Sequence, residues 1–219
     1  MTFAPRPSRR ALRIHLGIPE DADLVFSVRR LVPRMGLPLL IDACIAARQK
    51  HPNVFCLIGG SGPDEAKLKN LVRQKKAENI VRLIGNIPVG RLSDYYGAAD
   101  LYVLPTIAYE GLGLTTLEAL ASGLPVVGTP VGATPEILGP INRAYVAEAA
   151  DADALARAMT AYLDLPEAER VNRRAEVRRY AEEHWRWEHS VEALESVLAE
   201  LPPSSSSSAR SAWLPLPRV

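Results

Sequence analysis

Apolar-rich runs of four or five residues alternate with amphipathic stretches through the first two thirds of the chain. The runs lie at residues 24–28, 54–58, 80–84, 101–104 and 125–128, and such runs mark strands buried on both faces. Between them, helical periodicity covers residues 37–49, 64–76, 91–99 and 114–122, the last closing on Gly123 as a C-cap. Strands separated by helices of this length are βαβ units. They predict an α/β fold built on a single Rossmann-like, doubly wound parallel sheet. Two further helical stretches follow, residues 151–163 with Asp151 as N-cap and residues 166–201, rich in Arg and Glu. Residues 1–22, broken by Pro5, Pro7 and Pro19, read as a lead-in. Residues 202–219 are Ser- and Pro-rich without periodicity and read as a disordered tail, leaving residues 23–201 as one domain.

Composition narrows the function by exclusion. Lys and Arg number 26 against 25 Asp and Glu, so no basic field argues for a nucleic-acid partner. No apolar run approaches the ~20 residues of a membrane span, and membrane association is not indicated. The N-terminus is Pro- and Arg-rich and lacks the apolar segment of a secretory signal, which makes cytoplasmic the expected location. Cys44 and Cys56 stand alone in apolar sequence, the setting of buried free thiols in a reducing compartment. Neither they nor the four scattered histidines fall at metal-ligand spacing, and no metal site or cofactor is expected.

In an open α/β sheet, ligands bind outside the carboxyl ends of the strands. That rule singles out four loops, at residues 29–36, 59–63, 85–88 and 105–113. The last is the richest. It carries Glu110, Gly111, Leu112 and Gly113 and runs straight into the helix that holds Leu114 and Glu118. A helix that starts after two glycines offers unpaired N–H groups and the positive end of its dipole, a ready seat for a diphosphate. Glu110 would stand beside whatever the diphosphate carries. Glu118, one to two turns in, could accept hydrogen bonds from a ribose diol. A surface acid in a Gly loop followed by a helix-start acid explains the same spacing without any ligand.

The stretch EGLGLTTLEALASGLPVVGTPVGATPEIL resembles the signature of family-4 GT-B glycosyltransferases, the group 1 type. AADLYVLPT and SVRRLVPRMGLPLLIDA resemble the same family in the same order, so the likeness is co-linear over about residues 12–200. It implies a donor-binding domain, the C-terminal half of a GT-B fold, that binds a nucleoside-diphosphate sugar for retaining, metal-independent transfer. By that resemblance Arg30 contacts the diphosphate and Glu110 lies near the donor sugar hydroxyls. Gly111, Leu112, Gly113 and Leu114 supply backbone N–H groups, and Glu118 binds ribose. Ile84 and Ile87 lie where the family holds the base, and Gly60 and Gly62 line the same cleft.

Two residues depart from the family pattern. Met35 stands where a lysine is usual, and a thioether cannot replace an ammonium facing a diphosphate. Arg29 stands at a customary glycine and would either crowd the loop or add a second cation. Arg34 reads as an exposed surface residue. Restoring lysine at position 35 is expected to tighten donor binding. The resemblance also implies an acceptor-binding domain or subunit outside this chain, without which the chain alone is expected to be inactive. Trp185 and Trp187 either expose apolar surface for that partner or pack within their helix. The alternative is a non-catalytic module that binds nucleotide sugars or partners. A dinucleotide oxidoreductase, prompted by residues 59–62, lacks the Gly-x-Gly-x-x-Gly spacing after the first strand and the acid beyond it.

Overall fold

The computed structural model describes residues 3–4 and 8–200. The expected tail, and residues 1–2 and 5–7 of the expected lead-in, lie outside the described residues. Five parallel strands form one sheet in the order β3-β2-β1-β4-β5: β1 Asp23–Val28, β2 Val54–Gly59, β3 Val81–Gly85, β4 Leu101–Leu104 and β5 Val126–Gly128. Helices α2 Leu37–Arg48, α3 Glu65–Gln74, α4 Val89–Ala98 and α5 Leu114–Ala121 connect them. Every residue of β2 and β4 is buried, as strands covered on both faces require. An aromatic cluster fills the centre. Phe26 of β1 meets Tyr96 of α4 and Tyr102 of β4 edge-on, at 5.4 and 5.9 Å between ring centroids.

Strand order sets the location of any ligand crevice. The chain winds outward from β1 through β2 to β3, then crosses back over β1 to β4 and continues to β5. The loops that follow β1 and β4 therefore leave the sheet in opposite directions. The switch point between them opens a crevice at the carboxyl ends.

Two features differ from the sequence-based expectation. Residues 9–16 of the expected lead-in are helix α1, Arg9–Leu16, capped by Ser8, whose hydroxyl accepts from Ala11 N, and closed by Gly17 at φ +63°. Arg13 buries its guanidinium at the amino end of the sheet. It donates to the carbonyls of Ala98 (3.0 Å), Glu20 (2.8 Å) and Ala22 (2.9 Å) and pairs with the Asp100 carboxylate. Arg9 also reaches Asp100, which in addition accepts from Leu24 N at 2.7 Å.

The single helix expected over residues 166–201 is instead α8, Glu167–His184, and α9, Trp187–Glu200. Contacts divide the chain at the same place, into a unit ending at Glu183 and a second beginning at His184. Helix α8 belongs to the first unit. It buries only Val177 and Ala181 and anchors itself through arginines: Arg170 to Asp23 at 3.2 Å and Arg174 to Ala99 O at 2.7 Å. Helices α6, Thr134–Leu138, and α7, Ala152–Leu163, complete that unit, with Asp151 capping α7 through Ala154 N at 2.8 Å. Helix α9 buries no residue. Trp187, Leu194 and Leu198 along it are all more than half exposed, and Trp185 just before it is partly covered.

Candidate functional site at the carboxyl ends of the strands

Backbone hydrogen bonds lace the carboxyl-end loops into one rim. Arg29 N donates to Gly59 O at 3.0 Å, Leu31 N to Ser61 O at 2.9 Å and Gly60 N to Gly85 O at 2.7 Å. On the other side, Ile107 N donates to Arg34 O at 2.9 Å and Ala133 N to Gly111 O at 3.3 Å. Such close approach of backbones dictates glycine. A Cβ on Gly60, which has φ +120°, would lie 1.8 Å from Arg29 O, and one on Gly62 would lie 2.3 Å from Leu31 O. These two glycines are thus explained by loop-to-loop packing before any ligand is considered. Ile87 folds over Gly59, and Ile84 is half-buried at the end of edge strand β3. Edge strand β3 lies three strand spacings from β4, roughly 14 Å, while Ile87 in the loop after it reaches back over β2.

The β4–α5 loop, residues 105–113, holds the main chemistry. Gly113 takes φ +66° and caps α5 without any side-chain hydrogen bond. Thr116 N turns back to Gly113 O at 2.7 Å, while the N–H groups of Leu114 and Thr115 meet no acceptor among the described residues. The positive end of α5 is therefore open. Gly111 and Leu112 are exposed beside it, Leu114 is 66% exposed, and the Thr116 hydroxyl is buried with no hydrogen-bond partner among the described residues.

Glu110 is not a free surface acid. Its Oε2 accepts from the Thr106 hydroxyl at 2.7 Å and forms an ion pair with Arg29, whose side chain is 6% exposed. Oε1 faces Gly113: a Cβ built there would lie 3.7 Å from it. Arg29 also reaches Thr115 Oγ1 in the first turn of α5 at 3.2 Å and Met35 Sδ at 3.0 Å. The customary glycine position thus adds a buried cation instead of crowding the loop. Arg34 is exposed, as its sequence reading has it, and donates to Tyr109 O at 2.9 Å, bracing a residue held at φ +56°. Arg30 is exposed and has no ion-pair partner among the described residues.

Glu118 lies on the fifth residue of α5 and accepts from the Tyr96 hydroxyl at 2.8 Å. Burial pushes its carboxyl above the ordinary glutamate range, and the Tyr96 hydrogen bond opposes that shift. Burial raises Tyr96 further still, so the phenol remains a donor. Sequence reasoning missed Thr106, Thr115 and Tyr96, which acquire their roles only when α4 and the β1 and β4 loops converge. Two surface hollows lie elsewhere. One runs along α8 at Asn172, Arg173 and Glu176, and one sits beside α7 at Arg157. Their charges pair across helix turns or with neighbours, Arg173 with Glu169 and Glu176, and Arg157 with Glu148. Neither is lined by a glycine loop at the carboxyl ends of the strands, so the crevice carries the functional reading. Among the described residues no three His, Cys, Asp or Glu side chains gather as a metal site.

The family model described as glycosyl transferases group 1 matches residues 8–184, and the chain belongs to that family. Over 207 residues it is 31% identical to the GDP-mannose-dependent monoacylated alpha-(1-6)-phosphatidylinositol monomannoside mannosyltransferase of Corynebacterium glutamicum, covering 92% of this chain and 53% of that protein. Among solved structures, HepE of Anabaena in complex with UDP superposes with a TM-score of 0.80 at 21% identity, covering 91% of this chain and 55% of HepE. The C-terminal domain of the group 1 glycosyl transferase LpcC from Francisella tularensis gives 0.74 at 23% identity, covering 85% of this chain and 97% of that domain. The chain spans about half the length of the curated relatives it matches.

Proposed function

We propose that this chain is the donor-binding half of a retaining glycosyltransferase and holds a nucleoside-diphosphate sugar in the crevice between the β1 and β4 loops. The open N-terminus of α5, flanked by Glu110 and Glu118, is the observation that carries the proposal. In this reading the diphosphate meets the N–H groups of Gly113, Leu114 and Thr115 and the exposed guanidinium of Arg30. Glu118 accepts from the ribose, and its Tyr96 partner fixes the carboxylate. The base extends toward Ile84 and Ile87, and the donor sugar lies against Glu110 Oε1 and the amides of Gly111 and Leu112.

Transfer breaks the bond between the anomeric carbon and the diphosphate oxygen and forms one to an acceptor hydroxyl oxygen, whose proton passes to the departing diphosphate. Negative charge grows on the departing diphosphate, where Arg30 and the α5 amides are already oriented to receive it. This preorganised positive charge supports a metal-independent reaction. The coverage of relatives supports an acceptor-binding half outside the described residues, as a further domain or a separate subunit. Cys44 and Cys56 are buried and free, which suits a reducing compartment such as the cytoplasm.

Calorimetric titration of the chain with UDP, GDP, ADP and their sugar conjugates tests this reading. Selective binding of one base, lost in Glu118→Ala, is expected. Failure of every nucleotide to bind would overturn it.

A further inference from the structure

We propose that positions 29 and 35 together provide one seat for one cation, that Arg29 fills it, and that Arg29 thereby acts as a positioning residue for Glu110. The inference rests on the donor reading above. Its starting point is the volume at the end of β1. The guanidinium of Arg29 lies against Met35 Sδ at 3.0 Å, and both residues are buried, Met35 at 7% exposure. A lysine at position 35 would direct its ammonium into the space the guanidinium already occupies. Two cations at such separation in a water-poor site repel strongly. Methionine, flexible and uncharged, instead packs beside the guanidinium and leaves its charge intact.

What the single cation does is visible at Glu110. Arg29 and Thr106 both donate to Oε2, while Oε1 has no hydrogen-bond partner among the described residues and faces Gly113. One carboxylate oxygen is clamped and the other is presented at the mouth of α5, the arrangement needed to accept a hydrogen bond from a sugar hydroxyl in fixed geometry. Arg29 also donates to Thr115 Oγ1 at 3.2 Å, which ties the clamp to the first turn of α5. The consequence reverses the expectation drawn from the family pattern. Lysine at position 35 does not restore a missing contact but evicts the residue that replaced it.

The test is a double-mutant cycle on the full chain: the parent, Met35→Lys, Arg29→Gly, and both together. Each is titrated with UDP, GDP, UDP-glucose and GDP-mannose, and its melting temperature is measured alongside. Each single substitution is expected to cut the preference for the sugar conjugate over its free diphosphate about tenfold, the scale of one charge-assisted hydrogen bond. The double substitution is expected to regain most of that preference. A merely structural role for Arg29 would lower the melting temperature while leaving the preference unchanged, and would overturn the proposal. So would Met35→Lys binding as tightly as the parent, or a double variant whose loss is the product of the two single losses. If Arg29→Gly does not fold, the Met35→Lys arm and the double variant still decide the matter. A parent chain that binds no nucleotide sinks the donor reading together with this inference, whereas a binding parent with multiplicative losses sinks this inference alone.

Discussion

Two arginine–carboxylate clusters sit at opposite ends of the same sheet, and they differ in what they leave open. At the amino end, both oxygens of Asp100 are engaged. Oδ1 pairs with Arg9 and lies 3.6 Å from Arg174, and Oδ2 takes Arg13 and Leu24 N. Arg13 in turn donates to three carbonyls. At the carboxyl end, Glu110 has one oxygen held by Arg29 and Thr106 and the other directed at an uncapped helix. Arg30 nearby is exposed, and Glu118 carries the energetic cost of partial burial. Similar side chains serve different ends. A cluster whose two carboxylate oxygens are both engaged joins elements together, and one with a carboxylate oxygen left open can take up a ligand.

The most forceful way to break this comparison is Asp100→Ala. It strands Arg13 without its carboxylate and is expected to cost about 3–5 kcal/mol of stability, read by denaturant unfolding. Donor affinity of the molecules that remain folded should be unchanged; a selective loss of affinity would erase the distinction between the two ends. Glu110→Ala comes next. It leaves the buried Arg29 unpaired and should cost about 3 kcal/mol, but here donor affinity should fall as well, which calorimetry would separate from the loss of stability. Arg30→Ala should leave unfolding within ~0.5 kcal/mol of the parent while weakening nucleotide binding about tenfold.

A small effect on stability at Glu118 is the most diagnostic in sign. An acid whose folded pKa is raised contributes no cost where both states are protonated. It costs stability increasingly as pH rises from its unfolded pKa through its folded one. Glu118→Gln removes that cost and should raise the melting temperature at neutral pH, with the gain vanishing below the ordinary glutamate range. The same substitution should weaken donor binding. In the parent, affinity should fall on acidification sooner than an unperturbed glutamate would allow, as Glu118 takes up its proton. A variant less stable at neutral pH and equal to the parent in affinity would contradict the role given to this residue.

Much of the sheet was legible because its signal is local. The runs at residues 54–58 and 101–104 differ from β2 and β4 by at most one residue, and Gly123 adopts φ +70° just beyond α5, as a C-cap glycine should. Helix α1 was hidden because Arg13 is its one buried residue, held by Asp100 from 87 positions away, and hydrophobic periodicity does not register a helix docked by a guanidinium. The break between α8 and α9 escaped for a related reason: α8 is charged all round and has little apolar stripe whose end could be seen. At the site, the Gly loop and both acids stood out by spacing. The partners of those acids did not, since Arg29 to Glu110 and Tyr96 to Glu118 are separations of 81 and 22 residues that only the crossover over β1 brings together.

The central claim is that ligand binding belongs to the unsaturated end of the sheet. Backbone amide chemical shifts of the chain titrated with UDP and GDP would test it most directly. For the nucleotide that binds, changes are expected at Gly111, Leu112, Gly113, Leu114 and Thr115 and around Arg30 and Glu118, with the amides around Arg13 and Asp100 unmoved. Saturable changes centred on the Asp100 cluster or along α8, with residues 111–115 silent, would contradict the account.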